Sequence, residues 1–543
     1  MTAAHVLLGA TLGVPLLLLA AYAWTPARKR MLPLLAVAPV PALLAALLFE
    51  QDAVLRIGPA QGFYRATLAL DAPGALLLGV AALLWIAAGA YAATYQRDAP
   101  NAGRFAAGWL LALTGCLGVF IAADMAILYL TLAMMTFGAS ALVFHDESPG
   151  ARRAAAIYLG LALAGETLVL VAIIQLAALT PDGSLLLRDA AAVLPSAPQR
   201  DVIITLLVIG FGLKAGLVPL HVWMPLAHSA APMPASAVLS GVVVKAGIIG
   251  LIRFLPVDTA LADWGNLLAI AGMFTALYAV VIGITQAHPK VVLAYSSVSQ
   301  MGFTVAVIGM GIANADAAAP VLAAFYATHH ILVKGAMFLL VGVVASTAAM
   351  HLRGTRMLAA VLAVGLGGLP FTGGAVAKLA VKGPLGYGWA ATVAYASAVG
   401  TTLLMLHFLR RVMANCATDP AAIAAPGLRW PWVATAVASI LVPWALYLGL
   451  PLGTASDLID PKGLWASLWP VLVGGAFAWA LARWGGRLPR IPAGDIAVGI
   501  DSGARLALGA GTALQRTDTV LRQWAVAGVS MLAIAALFGA ALF

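Results

Sequence analysis

Two lysines, Lys214 and Lys245, stand in sequence otherwise as apolar as the interior of a bilayer. Between them lie His221 and His228, with Pro219, Pro225, Pro232 and Pro234. A lysine inside a membrane helix is costly and ordinarily faces a polar cavity or a partner. Proline beside it interrupts the helix, which is tolerated where the freed backbone groups meet protein or water. Cation and helix breaker recur together in AVGLGGLPFTGGAVAKLAVKGP, where Gly365, Gly367, Gly368, Pro370, Gly373 and Gly374 precede Lys378. Glu166 sits midway along LGLALAGETLVLVAII, and the other glutamates of the chain are Glu50 and Glu147. His329, His330 and Lys334 share another apolar run. A lysine in a low-dielectric site loses its proton more easily, and a nearby carboxylate reverses this. A partner that moves therefore turns such a group into a proton switch.

Glu166, Lys214, Lys245, Lys334 and Lys378 are the candidate switches, with His221, His228 and His330 beside them. His330 and Lys334 are four residues apart, so they share a helix face and can exchange a proton through water. Each has a plainer reading. Lys214 and Lys245 can snorkel to an interface, although both lie several residues inside their spans. Of Lys378 and Lys382, the second is nearer a span end and is the one expected to snorkel. His329 is expected to be a core histidine. Asp71 and Asp124 open spans and are expected to cap helices. A static Glu166–lysine pair and a switching one look the same in sequence.

The elements that must position these groups are membrane helices. Of 543 residues, 63% are hydrophobic and 9% charged. Apolar runs of about 20 residues, long enough to span a bilayer, recur from end to end. Alternating segments of about ten residues, the mark of a membrane barrel, do not occur. About sixteen spans are expected, the first at 3–24 and the last at 524–542, including 31–49 and 357–380. The net charge of +10 is spread over short loops, as membrane topology requires, and does not indicate nucleic acid. Arg28–Arg30 share their side with Arg97, Arg104, Arg152, Arg153, Lys290, Arg353, Arg356, Arg410, Arg411 and Arg429. The opposite loops carry Arg56, Arg65, Arg188, Arg200, Arg253 and Lys462. This bias makes the first group cytoplasmic and places both termini outside. Basic residues follow the first run instead of preceding it, which argues against a cleaved signal. Cys116 and Cys416 are isolated, and no Cys/His cluster or phosphate loop appears. No metal, cofactor or redox centre is therefore expected.

Paired broken spans in corresponding places point to a transporter built from two inverted repeats. The expected organisation is 1–100 (three helices), 101–257 and 258–415 (two five-helix units), 416–486 (further spans) and 487–543. In the last of these, 495–522 reads as an interfacial helix or a polar loop before a final span.

From Lys214 to Arg253 the chain closely resembles the signature of the proton-translocating antiporter-like family. This family comprises the large membrane subunits of respiratory complex I, of Mrp-type sodium/proton antiporters and of group 4 hydrogenases. The matching pieces are PLHVWMP (Pro219–Pro225), AHSAAPMPASAVLSG (Ala227–Gly241), Lys245 and GLIR (Gly250–Arg253). KVVLAYSSVSQMG (Lys290–Gly302), HILVKGAMFLLVG (His330–Gly342) and LPFTGGAVAK (Leu369–Lys378) continue it, and Asp71 and Tyr95 fit the third span. The resemblance covers about residues 65–415. It implies fourteen core helices, broken helices seven and twelve, and a central polar axis where Lys214, Lys245, Lys334 and Lys378 move protons. It also implies a glutamate on the fifth helix paired with Lys214.

Here the sequence departs. Aligning Asp124–Met135 to that helix puts Ala133 at the glutamate position. Glu166, one helix later, is the nearest intramembrane carboxylate and is expected to substitute. Leu226 and the His288–Pro289 pair also differ from the acidic residues usual in the family. The C-terminal extension resembles the lateral helix and final span by which some members clamp a neighbour. The expected function is a proton-conducting subunit of a larger complex in a prokaryotic inner membrane, with other membrane subunits as partners. The alternatives are an Mrp-type sodium/proton antiporter subunit, a proton supplier in energy-coupled inorganic carbon uptake, and a non-transporting scaffold.

Overall fold

The structure, a computed structural model, describes residues 2–493 apart from 29, 51–52, 59–64, 260, 451, 488 and 490, together with 495 and 496. The expected span at 524–542 and most of the stretch before it lie outside these residues. The described chain is helical except for one hairpin. In order come α1 (Ala3–Ala21), α2 (Val40–Leu47), β1 (Val54–Ile57) and β2 (Ala66–Ala69), followed by α3 (Ala72–Tyr95), α4 (Ala102–Ile121), α5 (Met125–Phe144) and α6 (Pro149–Leu179). Then follow α7 (Arg200–Ala215), α8 (Trp223–Ala230), α9 (Met233–Val238), α10 (Lys245–Phe254), α11 (Ala262–Gly283) and α12 (Pro289–Asn314). The last are α13 (Ala319–Ala345), α14 (Arg353–Gly367), α15 (Gly373–Ala380), α16 (Trp389–Met413), α17 (Pro426–Gly449) and α18 (Pro461–Trp484).

Among the described residues, thirteen helices are long and apolar enough to cross a membrane. Two expected spans, 31–49 and 357–380, are not among them because each is interrupted. The first divides at Leu35–Pro39 before α2; the second divides between α14 and α15. The β1–β2 hairpin, antiparallel with Val54 opposite Ala69, was not anticipated, since it falls between apolar runs.

Helix starts follow local chemistry. Asp71 caps α3 by accepting from the Gly74 amide at 2.7 Å, with Pro73 in the first turn. Asp124 caps α5, accepting from Ile127 N at 2.8 Å and from Thr67 N of the hairpin at 2.6 Å. Ser148 caps α6 ahead of Pro149. Such side chains satisfy amides that the first turn leaves unpaired. The segment from α9 to α10, α12 and α13 are enclosed by protein along most of their length, and α3, α16 and α17 pack around them. The α11–α12 pair approaches closely: a Cβ on Gly272 would collide with the Gly302 carbonyl oxygen.

Both broken spans end their first half at a left-handed glycine. Gly216 (φ 81°) terminates α7 two residues after Lys214, and Gly368 (φ 109°) terminates α14. Only glycine adopts this conformation without cost. The segment joining α9 to α10 is a π-helical turn at Leu239–Val243, immediately before Lys245. Such turns insert an extra residue and free a carbonyl from the regular ladder.

Candidate functional site

Glu166 on α6 and Lys214 on α7 meet inside the bundle, with Lys214 Nζ 2.7 Å from Glu166 Oε1. Each side chain is 2% exposed. Thr136 on α5 closes a triad: its hydroxyl donates to Glu166 Oε1 and accepts from Lys214 Nζ. Ala133 lies one turn before Thr136 on the same helix and carries nothing that reaches the pair. The carboxylate thus arrives from α6, while α5 contributes a hydroxyl. The triad was only partly anticipated, because Thr136 gives no signal in sequence: a threonine in a helix ordinarily bonds its own preceding turn.

Lys245 begins α10 and is fully enclosed. Its Nζ lies 2.5 Å from His330 Nδ1 of α13 and donates to the Ser240 carbonyl at 3.1 Å, within the π-helical turn. By spacing, His330 shares a helix face with Lys334. The structure gives it a different contact, Lys245 on a neighbouring helix. Lys334 instead turns toward α12, donating to Ser296 Oγ and to Leu293 O at 3.0 Å. The Ser240 and Ser297 hydroxyls, 2.6 Å apart, link the π-helical turn to α12. His228 is buried between Trp223 and Phe338, and among the described residues neither ring nitrogen has a hydrogen-bond partner. His221 is buried beside the rings of Tyr278 and Tyr295.

Lys378 on α15 reaches back across the break to the Gly367 carbonyl at 2.5 Å. This oxygen belongs to the C-terminal turn of α14, where helix carbonyls are free and the dipole favours a cation. Lys378 also lines a cavity of about 440 Å³ with Phe303, Tyr387 and Tyr395. Lys382 is exposed, and His329 packs against Gly373 and Gly374. Beyond the lysines, Gln300 bridges Thr401 (2.9 Å) and the Tyr326 hydroxyl (2.6 Å), extending the polar interior from α12 to α13 and α16.

Two cations assigned to loops by sequence belong to the interior. Lys290, 3% exposed at the start of α12, donates to the Ala231 carbonyl at 2.5 Å. Arg253, with a side chain 6% exposed, forks onto Asp71 at 3.0 Å and also bonds the carbonyls of Val119, Phe120 and Ala122 at the end of α4. Both lie within a turn of a helix end, where sequence does not tell an inward side chain from an outward one. Asp71, in front of α3, feels opposing influences. Burial raises its pKa, but the charge and hydrogen bonds of Arg253 and the Gly74 amide outweigh burial and hold the carboxyl below its ordinary value.

The fold defines a polytopic helical membrane protein, and its interior holds a row of cationic side chains. Comparison with known proteins supports the membrane fold. The profile of the family described as NADH:quinone oxidoreductase/Mrp antiporter, TM, matches residues 122–406, just over half of the chain, and the chain belongs to that family. It is 31% identical over 317 residues to hydrogenase-4 component B of Escherichia coli (strain K12), covering 55% of this chain and 46% of that one. It is 33% identical over 287 residues to NADH-quinone oxidoreductase subunit N of Desulforudis audaxviator (strain MP104C), covering 51% and 55%. These alignments thus span about half the length of the curated relatives. In fold it resembles a chain of the Mrp complex from Dietzia sp. DQ12-45-1b (TM-score 0.79, 23% identity, 99% of this chain and 63% of that one). It also resembles a chain of the membrane-bound sulfane sulfur reductase, an archaeal respiratory membrane complex (TM-score 0.71, 20% identity, 98% and 100%).

Proposed function

We propose that this chain is a proton-translocating subunit of a multi-subunit energy-converting complex in a prokaryotic inner membrane, with other membrane subunits as its partners. The observation that carries the reading is the Glu166–Lys214 pair, 2.7 Å apart and 2% exposed on each side. It lies in the same enclosed core as Lys245 with His330, and Lys334 with Ser296. Ionisable groups this deep are expensive unless used. In this reading residues 101–257 and 258–415 are two repeats, one centred on Lys214 and the other on Lys334 and Lys378. Lys245 of the first meets His330 of the second, and His221 and His228 belong to the first. A proton moves as Lys214 separates from Glu166 and the charge passes to the next lysine, with hydroxyls and transient water as carriers. Substituting Lys245 in the purified complex tests it. In proteoliposomes, Lys245→Ala is expected to abolish driven proton uptake while subunit composition is retained. Wild-type uptake by that variant overturns the proposal.

A further inference from the structure

Where α11 ends, α12 begins and α16 terminates, side chains from these segments enclose a cavity of about 620 Å³. Arg410 and Arg411 of α16, His407 one turn earlier, and His288 and Gln286 of the α11–α12 turn contribute to its wall. Among the described residues lining it there is no carboxylate. The frame is fixed. His407, 5% exposed, bonds the Gln286 carbonyl through Nε2 at 2.9 Å, and the Gln286 amide donates to Ile282 O, Thr285 Oγ1 and Ile491 O. The guanidinium of Arg411 is not satisfied: its Nε is buried without a hydrogen-bond partner among the described residues. A buried N–H of this kind points to a ligand or ion that completes it. Burial, with the Lys290 ammonium nearby, holds His288 below its ordinary pKa. The fixed positive charge therefore comes from the two arginines.

We propose that this cup binds the phosphate of an anionic phospholipid headgroup, with Arg411 and Arg410 as its ligands. The planar fork of arginine suits phosphate oxygens two at a time. Adjacent arginines with no carboxylate among the described lining residues favour an outside anion. The arginines occupy the last turn of a membrane-crossing helix, at the depth where headgroups lie and basic side chains meet anionic lipid. Ile284, Val291 and Leu481 on the same wall are apolar, as acyl chains beside the headgroup require.

The test uses the full-length protein in its purified complex, delipidated in neutral detergent. Three probes are titrated by thermal shift and native mass spectrometry: short-chain phosphatidylglycerol, short-chain phosphatidylcholine and inorganic phosphate. Saturable binding of phosphatidylglycerol, weaker by at least about tenfold in Arg411→Gln and lost in Arg410→Gln/Arg411→Gln, is the expected result. Phosphatidylcholine should bind at least about tenfold more weakly than phosphatidylglycerol to the wild type. Unchanged elution and melting of the lipid-free variants exclude misfolding, and Arg411→Lys should recover part of the affinity. Equal binding of phosphatidylglycerol by wild type and double variant overturns the site. Binding of inorganic phosphate without phosphatidylglycerol overturns the lipid as its source. Failure of all three probes on wild type overturns the proposal altogether.

Discussion

Replacing Glu166 by glutamine removes one charge and changes almost nothing else. The side chain keeps its length, and its amide oxygen can still accept from Lys214 and Thr136, which now surround Glu166 Oε1. What disappears is the anion 2.7 Å from an ammonium that is 2% exposed. Removing one partner of a buried ion pair costs about 3–5 kcal/mol, because the remaining charge is left uncompensated. At 1.36 kcal/mol per decade this is about two to nearly four powers of ten. The loss falls either on the charged state of the site or on the rate of the step that uses it. The assay is driven proton uptake in proteoliposomes containing the assembled complex, followed with a pH-sensitive dye, with assembly checked by size exclusion. Glu166→Gln is expected to reduce uptake to below about one-tenth of wild type. Glu166→Gln/Ala133→Glu moves the carboxylate to α5, one turn from Thr136, and is expected to restore a measurable part. Wild-type uptake by an assembled Glu166→Gln complex refutes the reasoning, since the pair would then be a static brace.

Thr136→Val keeps the shape of the side chain but removes the hydroxyl that joins Glu166 and Lys214. Losing one partner of a buried hydrogen bond costs about 1–3 kcal/mol, so uptake should fall and its pH optimum should move, whereas Thr136→Ser should behave as wild type. The Asp71–Arg253 clamp predicts an acid-side effect on stability. A carboxyl held below its unfolded value of 3.8 contributes fully above that pH, and its contribution is lost as pH falls through the folded value. The wild-type complex should therefore lose melting temperature below about pH 4. Asp71→Asn should melt lower at neutral pH and lose less of the difference in acid. An unchanged neutral melting temperature would remove the clamp from the account.

The sequence made the lysines visible because a charge within an apolar run has few inexpensive explanations, and Glu166 stood out as the one glutamate inside such a run. Spans were legible for the same compositional reason, as were the breaks at Pro219 and Gly368. What was not legible depends on side-chain direction or on backbone detail. Arg253 and Lys290 sit within a turn of their helix ends, so composition alone assigned them to loops. The structure turns them inward, onto Asp71 and the Ala231 carbonyl. Spacing placed His330 on one helix face with Lys334, but it could not show that approach between helices brings His330 to Lys245. Thr136, Ser296 and the Gln300–Thr401–Tyr326 bridge carry residue types that are unremarkable in any membrane helix. The π-helical turn before Lys245 has no sequence mark at all.

That turn also explains why cations and broken helices occur together. A buried ammonium must find acceptors, and in a membrane core nearly every backbone carbonyl is already used by its own helix. Interruption releases some of them. Lys245 bonds Ser240 O inside the π-helical turn, Lys378 bonds Gly367 O at the C-terminal turn of α14, and Lys290 bonds Ala231 O just beyond α8. Lys334 adds Leu293 O and the Ser296 hydroxyl. These acceptors are fixed dipoles and stay in place whether or not the lysine is charged. Lys214 differs, because among the described residues it is the lysine that forms an ion pair. A carboxylate can leave by side-chain rotation and takes a counter-charge with it; a carbonyl moves only with its backbone and carries no net charge. If protons move along this axis, the step that can be gated by the departure of a counter-charge is at Glu166–Lys214. The lysines held by carbonyls then respond to charge arriving from their neighbours. Separation of Glu166 from Lys214 is therefore the movement to look for when the complex is captured in more than one state, and displacement around Gly368 alone would contradict this assignment.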